Sequence, residues 1–292
     1  MAIEGLKIIG ESINDSVPST HKLFESGDME GLVELARTQD EKGAAYIDVN
    51  IGTQPPELMA DLVKRIQAVT TKPLAIDSPD PEIARAGLEA YDPDRAGGEK
   101  PILNSISALR LEMFELYKVR PFKPILLISE HVVDGLYQKS GTCRTAEETC
   151  EAARFLRSEA RAPGREMTND DLIFDPGIAP IGTDCEGNLH RLVRAMERIH
   201  ADADFEGVHV SVGLSNFTVM LPPKRADGSP LKGPLESAFL TKTLPLGMDM
   251  IIGSVKRRHD LLPPDHPAMV CLEDVLTRDG FDCIMRIRDF YC

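Results

Sequence analysis

The chain has 292 residues, enough for one large α/β barrel or two small domains. Hydrophobic residues make up 42%, which permits a sizeable core of ordinary globular composition. Lys plus Arg number 33 against 47 Asp plus Glu, a formal charge of −14, which argues against broad nucleic-acid or anionic-membrane surfaces and leaves room only for a local basic patch.

The first element is an apolar strand at 6–12, LKIIGES. The lead, MAIEGLKIIGESIND, lacks a charged start followed by a long apolar run, so no secretory leader is expected. A helix follows at 27–43, with Met29, Leu32, Leu35 and Ala36 on one face and Gly43 as a stop. Strands come at 45–52 (AYIDVNIG) and 73–78 (PLAIDS), then a helix at 78–91 with Asp80 as N-cap and Pro81 at its first position. Two more strands, 101–107 (PILNSIS) and 124–130 (PILLISE), lead into an irregular piece, HVVDGLYQKSGTCR, at 131–144. The helix at 145–161 opens with Thr145 and Glu148, the spacing of a capping box.

A strand at 172–177 (LIFDPG) precedes NLHRLVRAMERIH, 188–200, a basic amphipathic helix read as a solvated outer face. The seventh strand, GVHVSVGLS at 207–215, alternates Val208, Val210 and Val212 with His209 and Ser211. A Pro/Gly-rich loop at 221–234 is long enough for a functional role. The eighth strand is MDMIIGS, 248–254.

Eight Ile/Val/Leu-rich strands alternating with helices predict an α/β fold, a single (β/α)8 TIM barrel forming one domain over 1–292. No GxGxxG follows the first strand, which weakens a dinucleotide-binding reading. No stretch approaches a transmembrane helix in length. The six cysteines, Cys143, Cys150, Cys185, Cys271, Cys283 and Cys292, form no CxxC pair and read as reduced thiols, so a cytoplasmic location is expected.

The strand ends carry the functional signal. They present Glu11 and Asn14, Asp48 and Asn50, Asp77 and Ser78, Asn104 and Ser105, Ser129 and Glu130, Asp175, and Ser215 with Asn216. In a barrel these ends converge on one mouth, where active sites are built. Taken singly, Ser78, Ser105 and Asn50 read as caps or turn ties, and Asn216 as a turn residue. Seven strands ending alike need a further reason, because clustered Asp and Asn cost desolvation unless hydrogen-bonded. A ligand rich in donors and acceptors supplies that reason. The histidines show no HxH or HExxH spacing, so no metal is expected on the chain, and no GxSxG elbow or P-loop is present. A flat heterocycle offering two adjacent N–H donors suits a carboxylate, and a pterin has that edge.

The motifs GESIN (10–14), IDVNIG (47–52), AIDS (75–78), LNSIS (103–107), IFDPGIAP (173–180) and GLSN (213–216) together resemble those of the methyltetrahydrofolate:corrinoid methyltransferases. Those enzymes are related in fold to dihydropteroate synthase and to the folate domain of cobalamin-dependent methionine synthase. The resemblance implies that Asp77, Asn104 and Asp175 hold the pterin ring and that Asn216 reaches N5 of the folate as the catalytic residue. Ser215, Glu11, Asp48 and Asn50 are the further substrate-binding candidates.

The resemblance also implies tetrahydrofolate or its 5-methyl form as substrate, a corrinoid protein as partner, and a homodimer. No DxHxxG motif is present, so the corrinoid is expected on another chain or as free cofactor. Two alternatives stand beside this reading. One is dihydropteroate synthase, whose pyrophosphate would need cations such as those of GSVKRRH at 253–259. There Lys256, Arg257 and Arg258 read instead as solvent-facing, and the synthase family has a Lys where this chain has Asn216. The other is a non-catalytic folate-binding barrel.

Overall fold

A computed structural model describes residues 3–132 and 140–292. Its strands in chain order are β1 (Lys7–Asn14), β2 (Tyr46–Asn50), β3 (Leu74–Asp77), β4 (Ile102–Ile106), β5 (Lys123–Leu127), β6 (Glu130–Val132), β7 (Ser140–Thr142), β8 (Ile173–Asp175), β9 (His209–Val210) and β10 (Met250–Gly253). Eight of them form one parallel sheet in the order β10-β1-β2-β3-β4-β5-β8-β9, while β6 and β7 pair as a separate antiparallel hairpin. Beyond β9 the chain stays extended and approaches β10. Asp249 N–H donates to the Val210 carbonyl at 3.3 Å, Ile252 N–H to Val212 at 2.9 Å, and Gly213 bridges Ile252 in parallel sense. These contacts bring the two edges together into a nearly closed (β/α)8 barrel, as the alternation predicts.

The barrel interior is filled by one residue from each of seven strands: Ile9, Tyr46, Ala75, Ile102, Ile125, Ile173 and Met250. Two larger clusters lie between the strands and the helices. Each fully buried Leu or Ile there contributes about 1.5–3 kcal/mol. The helices are α1 (Pro18–Ser26), α2 (Met29–Glu41), α3 (Pro56–Gln67), α4 (Pro81–Ala90), α5 (Ala146–Ala160), α6 (Asn188–Ala201), α7 (Leu214–Phe217), α8 (Lys232–Thr243), α9 (Pro267–Val275) and α10 (Phe281–Tyr291). The sequence signals for their ends hold. Asp80 accepts from Glu82 N–H at 2.8 Å, and Thr145 and Glu148 close a capping box. Gly43 follows α2 at φ +84°, a conformation glycine adopts without strain. The unit after β4 departs from the pattern, with a 3-10 run at Leu111–Lys118 in place of an α-helix.

Four expectations need correction. The seventh strand does not reach Ser215. It is assigned only to His209–Val210, and Leu214–Phe217 wind into a helical turn, because Phe217 must swing outward to pack on Phe239 of α8, ring centroids 4.8 Å apart. The fifth strand stops at Leu127, and Glu130 belongs to the hairpin. Of the irregular piece at 131–144, residues 133–139 lie outside the described residues, and the flanking parts form that hairpin. The loop at 221–234 is shorter than read, since Lys232, Gly233 and Pro234 already form the first turn of α8. Among the described residues no helix is long and apolar enough to cross a membrane.

Candidate functional site

The predicted residues sit at the carboxyl ends of neighbouring strands, as a parallel barrel requires. In register, Asp77 of β3 faces Asn104 of β4, Asn14 of β1 faces Asn50 of β2, and Leu127 of β5 faces Asp175 of β8. Irregular pairing at Gly10/Ile13 and again at Asn104/Ile106 breaks the regular alternation where these polar side chains emerge. Gln39 of α2 secures the first irregularity, its Oε1 accepting the Ser12 N–H at 3.1 Å.

The acids lie close enough for their charges to act on one another. Asn50 Nδ2 donates to Asp77 Oδ2 at 2.9 Å, and Asn50 Oδ1 accepts the Gly52 N–H. Burial pushes the Asp77 carboxyl up to about 6, with the Asn50 bond and the nearby Arg110 charge opposing the shift. Asp48 is 1% exposed, and neither of its oxygens has a hydrogen-bond partner of regular geometry. Burial holds its carboxyl well above the usual range, reinforced by the charges of Asp77 and Glu11, while the Asn104 side chain beside it works in the opposite direction. Ser215 donates its hydroxyl to Glu11 Oε1 at 2.5 Å, tying α7 to β1 across the barrel seam.

Asp175 stands apart from this group. Its Oδ1 accepts the Gly177 N–H at 2.7 Å, and burial raises its carboxyl to about 6 against the Gly177 bond and the Arg191 charge. Asn216 is the exposed residue of α7, between half-buried Ser215 and buried Phe217. Its side-chain amide has no hydrogen-bond partner among the described residues, and it folds back toward Gly213. The structure therefore brings Glu11, Asp48, Asn50, Asp77, Asn104 and Ser215 together. It leaves Asp175 and Asn216 at the same end of the barrel, each with polar atoms open to a ligand.

Other strand-end residues do local work. Asn14 Oδ1 accepts from Ser16 N–H and Oγ, Ser78 Oγ accepts from Asp80 N–H, and Ser105 Oγ accepts from Arg110 Nη2 at 3.3 Å. Arg110 was not among the sequence candidates. Its signal is only its place in NSISALR, five residues beyond Ser105, and it is the cation that faces Asp77. Arg191 corrects the reading of 188–200 as a solvated face. It is 4% exposed and donates to Thr149 Oγ1 and the Gly177 carbonyl, supporting the turn that follows Asp175. Lys256, Arg257 and Arg258 are all exposed as expected, and Arg257 also reaches the fully buried Glu236 with its guanidinium.

No group of three or more His, Cys, Asp or Glu residues among the described residues is arranged to hold a metal. A cavity of about 650 Å³ opens beside the hairpin, lined by His131, Cys143, Arg144, Glu148, Glu186 and Asn188 among others and by none of the strand-end acids. His209 pairs with Asp249 Oδ2 at 2.5 Å at the start of β9, remote in sequence from the strand ends that carry the acids.

Residues 13–253 match the family model described as pterin binding enzyme. The chain belongs to the pterin-binding enzymes. It is similar to a methylcorrinoid:tetrahydrofolate methyltransferase from Eubacterium limosum, 27% identical over 254 residues that cover 84% of this chain and 83% of that protein. It is also similar to methionine synthase from Mycobacterium tuberculosis, 24% identical over 288 residues covering 93% of this chain but only 22% of that longer protein.

Among solved structures, the 7,8-dihydropteroate synthase of Vibrio fischeri matches with a TM-score of 0.55 at 15% identity, over 87% of this chain and 88% of that one. The dihydropteroate synthase of Xanthomonas albilineans matches with a TM-score of 0.53 at 18% identity, over 95% and 92%. At such identity the likeness shows the barrel fold alone.

Proposed function

We propose that this pterin-binding enzyme moves a methyl group between N5 of (methyl)tetrahydrofolate and the cobalt of a corrinoid carried by a partner protein. The observation that carries the reading is Asn216. It is a neutral amide, exposed and without a side-chain hydrogen bond among the described residues, on a turn pinned beside the strand-end acids. The Eubacterium limosum relative, named for this methyl transfer, is aligned over most of both chains.

Asp77, Asn104 and Asp175 hold the pterin ring in this proposal. Each Asp already has one oxygen occupied, Asp77 by Asn50 and Asp175 by Gly177, and offers the other to ring N–H donors. Asn216 hydrogen-bonds N5. A tertiary amine is a poor leaving group because the departing nitrogen takes the electron pair, so a donor that strengthens as that pair develops lowers the barrier. A reduced corrinoid is itself a strong nucleophile and needs no base on this chain. Asp48 and Glu11 support the site electrostatically, and Ser215 fixes the turn.

The partner meets a rim with apolar residues on two sides, Leu109 after β4 and Val219 with Met220 after α7, all about half exposed or more. A homodimer is part of the same proposal on the family resemblance alone, and a cytoplasmic location on the unpaired cysteine pattern. Dihydropteroate synthase is the weaker reading because that family has a Lys where this chain has Asn216. The test is single-turnover mixing with 5-methyltetrahydrofolate and Co(I) cobalamin, followed at the cobalt absorbance bands. Methyl-cobalt formation supports the proposal. No transfer, together with pteroate formation from a pterin pyrophosphate and 4-aminobenzoate, would reject it.

A further inference from the structure

The turn that carries Asn216 is fastened around the Asn216 side chain, whose amide alone makes no hydrogen bond among the described residues. Ser215 is bonded to Glu11, and Phe217 is buried against Phe239 while its carbonyl accepts the Ile181 N–H at 2.9 Å. Thr218, which caps the turn with its N–H on the Asn216 carbonyl, is fully buried, and its hydroxyl donates to Glu236 Oε1. Glu236 is also fully buried, on α8, and the same Oε1 accepts from Arg257 Nη1 in the segment after β10. Among the described residues its other oxygen has no hydrogen-bond partner, nor has Nδ1 of buried His259, 4.0 Å away. Glu236 is a fully buried carboxylate with one unsatisfied oxygen, and its partner Arg257 is 40% exposed, so the pair is a poor source of stability. What this one does provide is a directional link from α8 and the β10 exit to the backbone that ends the Asn216 turn.

We propose that Thr218 and Glu236, anchored by Arg257, are positioning residues that hold the Asn216 amide in place for N5. The proposal rests on the methyl-transfer reading of Asn216. It goes beyond that reading in assigning a role to a buried network that touches no ligand.

The full-length protein is made with Thr218→Val, which keeps the shape and removes the hydroxyl, and with Thr218→Ser, which restores it. Two readouts are taken. The side-chain amide signals of Asn216 in ¹⁵N-labelled protein, identified by their loss in Asn216→Ala, should shift and broaden in Thr218→Val and return in Thr218→Ser. The methyl-transfer rate at saturating 5-methyltetrahydrofolate should fall about tenfold or more in Thr218→Val, with folate Kd by calorimetry changed by less than about twofold, as for a misplaced catalytic group.

Unmoved Asn216 signals in folded Thr218→Val would overturn the positioning role. Absence of transfer in the wild-type protein would reject the methyl-transfer reading and leave the amide signals to decide the positioning role alone. Should Thr218→Val not fold, the double variant Thr218→Val with Glu236→Leu, in which only the half-exposed Arg257 guanidinium loses its partner and can turn to solvent, is read in the same way.

Discussion

Asn50 donates its side-chain N–H to Asp77 across adjacent strands at 2.9 Å, the shortest route by which the β2 end influences the β3 acid. That bond favours the ionised carboxyl and opposes the burial that lifts it to about 6. A hydrogen bond to a charged group is worth roughly 1.5–3 kcal/mol, which corresponds to about one to two pKa units. Asn50→Ala should therefore raise the Asp77 pKa further. Since ring N–H donors need the carboxylate, folate affinity should drop more at pH 6 than at pH 8. Calorimetric Kd values across that range check it, and a parallel loss at all pH values would make Asn50 a direct ligand contact instead.

Asp175 makes a complementary case. Its carboxyl is raised to about 6 in the free protein, so near that pH it is half protonated. Binding of a ring with two N–H donors favours the ionised form, and folate binding at pH 6 should release protons. Calorimetry in buffers of different ionisation enthalpy measures that release directly. In Asp175→Asn, where a donor faces donors, affinity should fall by roughly 1.5–3 kcal/mol and the Asp175 share of the release should vanish. EDTA should leave wild-type binding unchanged.

Stability should follow the same groups with a definite sign. Asp48, Asp77 and Asp175 all have folded pKa values above the unfolded value. The folded state then binds more protons than the unfolded state, so the three groups favour folding fully below about pH 4 and lose that effect as pH rises through about 6 and beyond. Asp48 is the extreme case, buried with neither oxygen in a hydrogen bond of regular geometry among the described residues. Asp48→Asn should raise the melting temperature of the free protein by several degrees at pH 7.5, and the gain should shrink at acid pH. A constant gain at all pH values would mean that packing and not charge is responsible.

The fold and the acid ring were legible in the sequence because both rest on strong local patterns. Apolar strands followed by Asp or Asn at a 27–29-residue spacing, as at Asp48, Asp77 and Asn104, show β-then-α units and their polar ends at once. Capping signals at Asp80 and Thr145 are equally local. What stayed hidden depends on distant partners. Nothing local in HRLVRAM shows that Arg191 turns inward to Thr149, or that Glu236 in KGPLESAF is buried beneath Thr218. The turn at Leu214–Phe217 reads as strand because Val208, Val210 and Val212 set a period of two, and only Phe239, outside that stretch, draws Phe217 out of it.

Gly213 offers a direct probe of that turn. Its backbone is at φ −72°, which any residue adopts, but a Cβ there would lie 2.9 Å from Asn216 Nδ2. The end of a flexible side chain yields readily. Gly213→Ala should therefore fold with stability within about 0.5 kcal/mol of wild type while displacing the Asn216 amide. Displacements of about 1 Å can cost on the order of 10²-fold in rate, so transfer should slow markedly with little change in folate affinity. Thermal unfolding and single-turnover transfer on the same preparation separate the two effects.

Asn216→Ala carries the mechanistic claim most directly. The side chain is exposed and has no hydrogen-bond partner among the described residues, so its removal should leave the fold intact. If the amide bonds N5 chiefly as charge develops there, the loss falls on the transition state and not on the bound folate. Removing one such donor typically costs about 10²–10³ in rate, or roughly 2.7–4 kcal/mol. The methyl-transfer rate at saturating 5-methyltetrahydrofolate should fall by that factor, while folate Kd changes little because Asp77, Asn104 and Asp175 still hold the ring. Single-turnover mixing with Co(I) cobalamin gives the rate and calorimetry gives the affinity. An equal loss in both would make Asn216 a ground-state ligand contact. A normal rate would reduce it to a turn residue and move the donor to N5 elsewhere on the mouth.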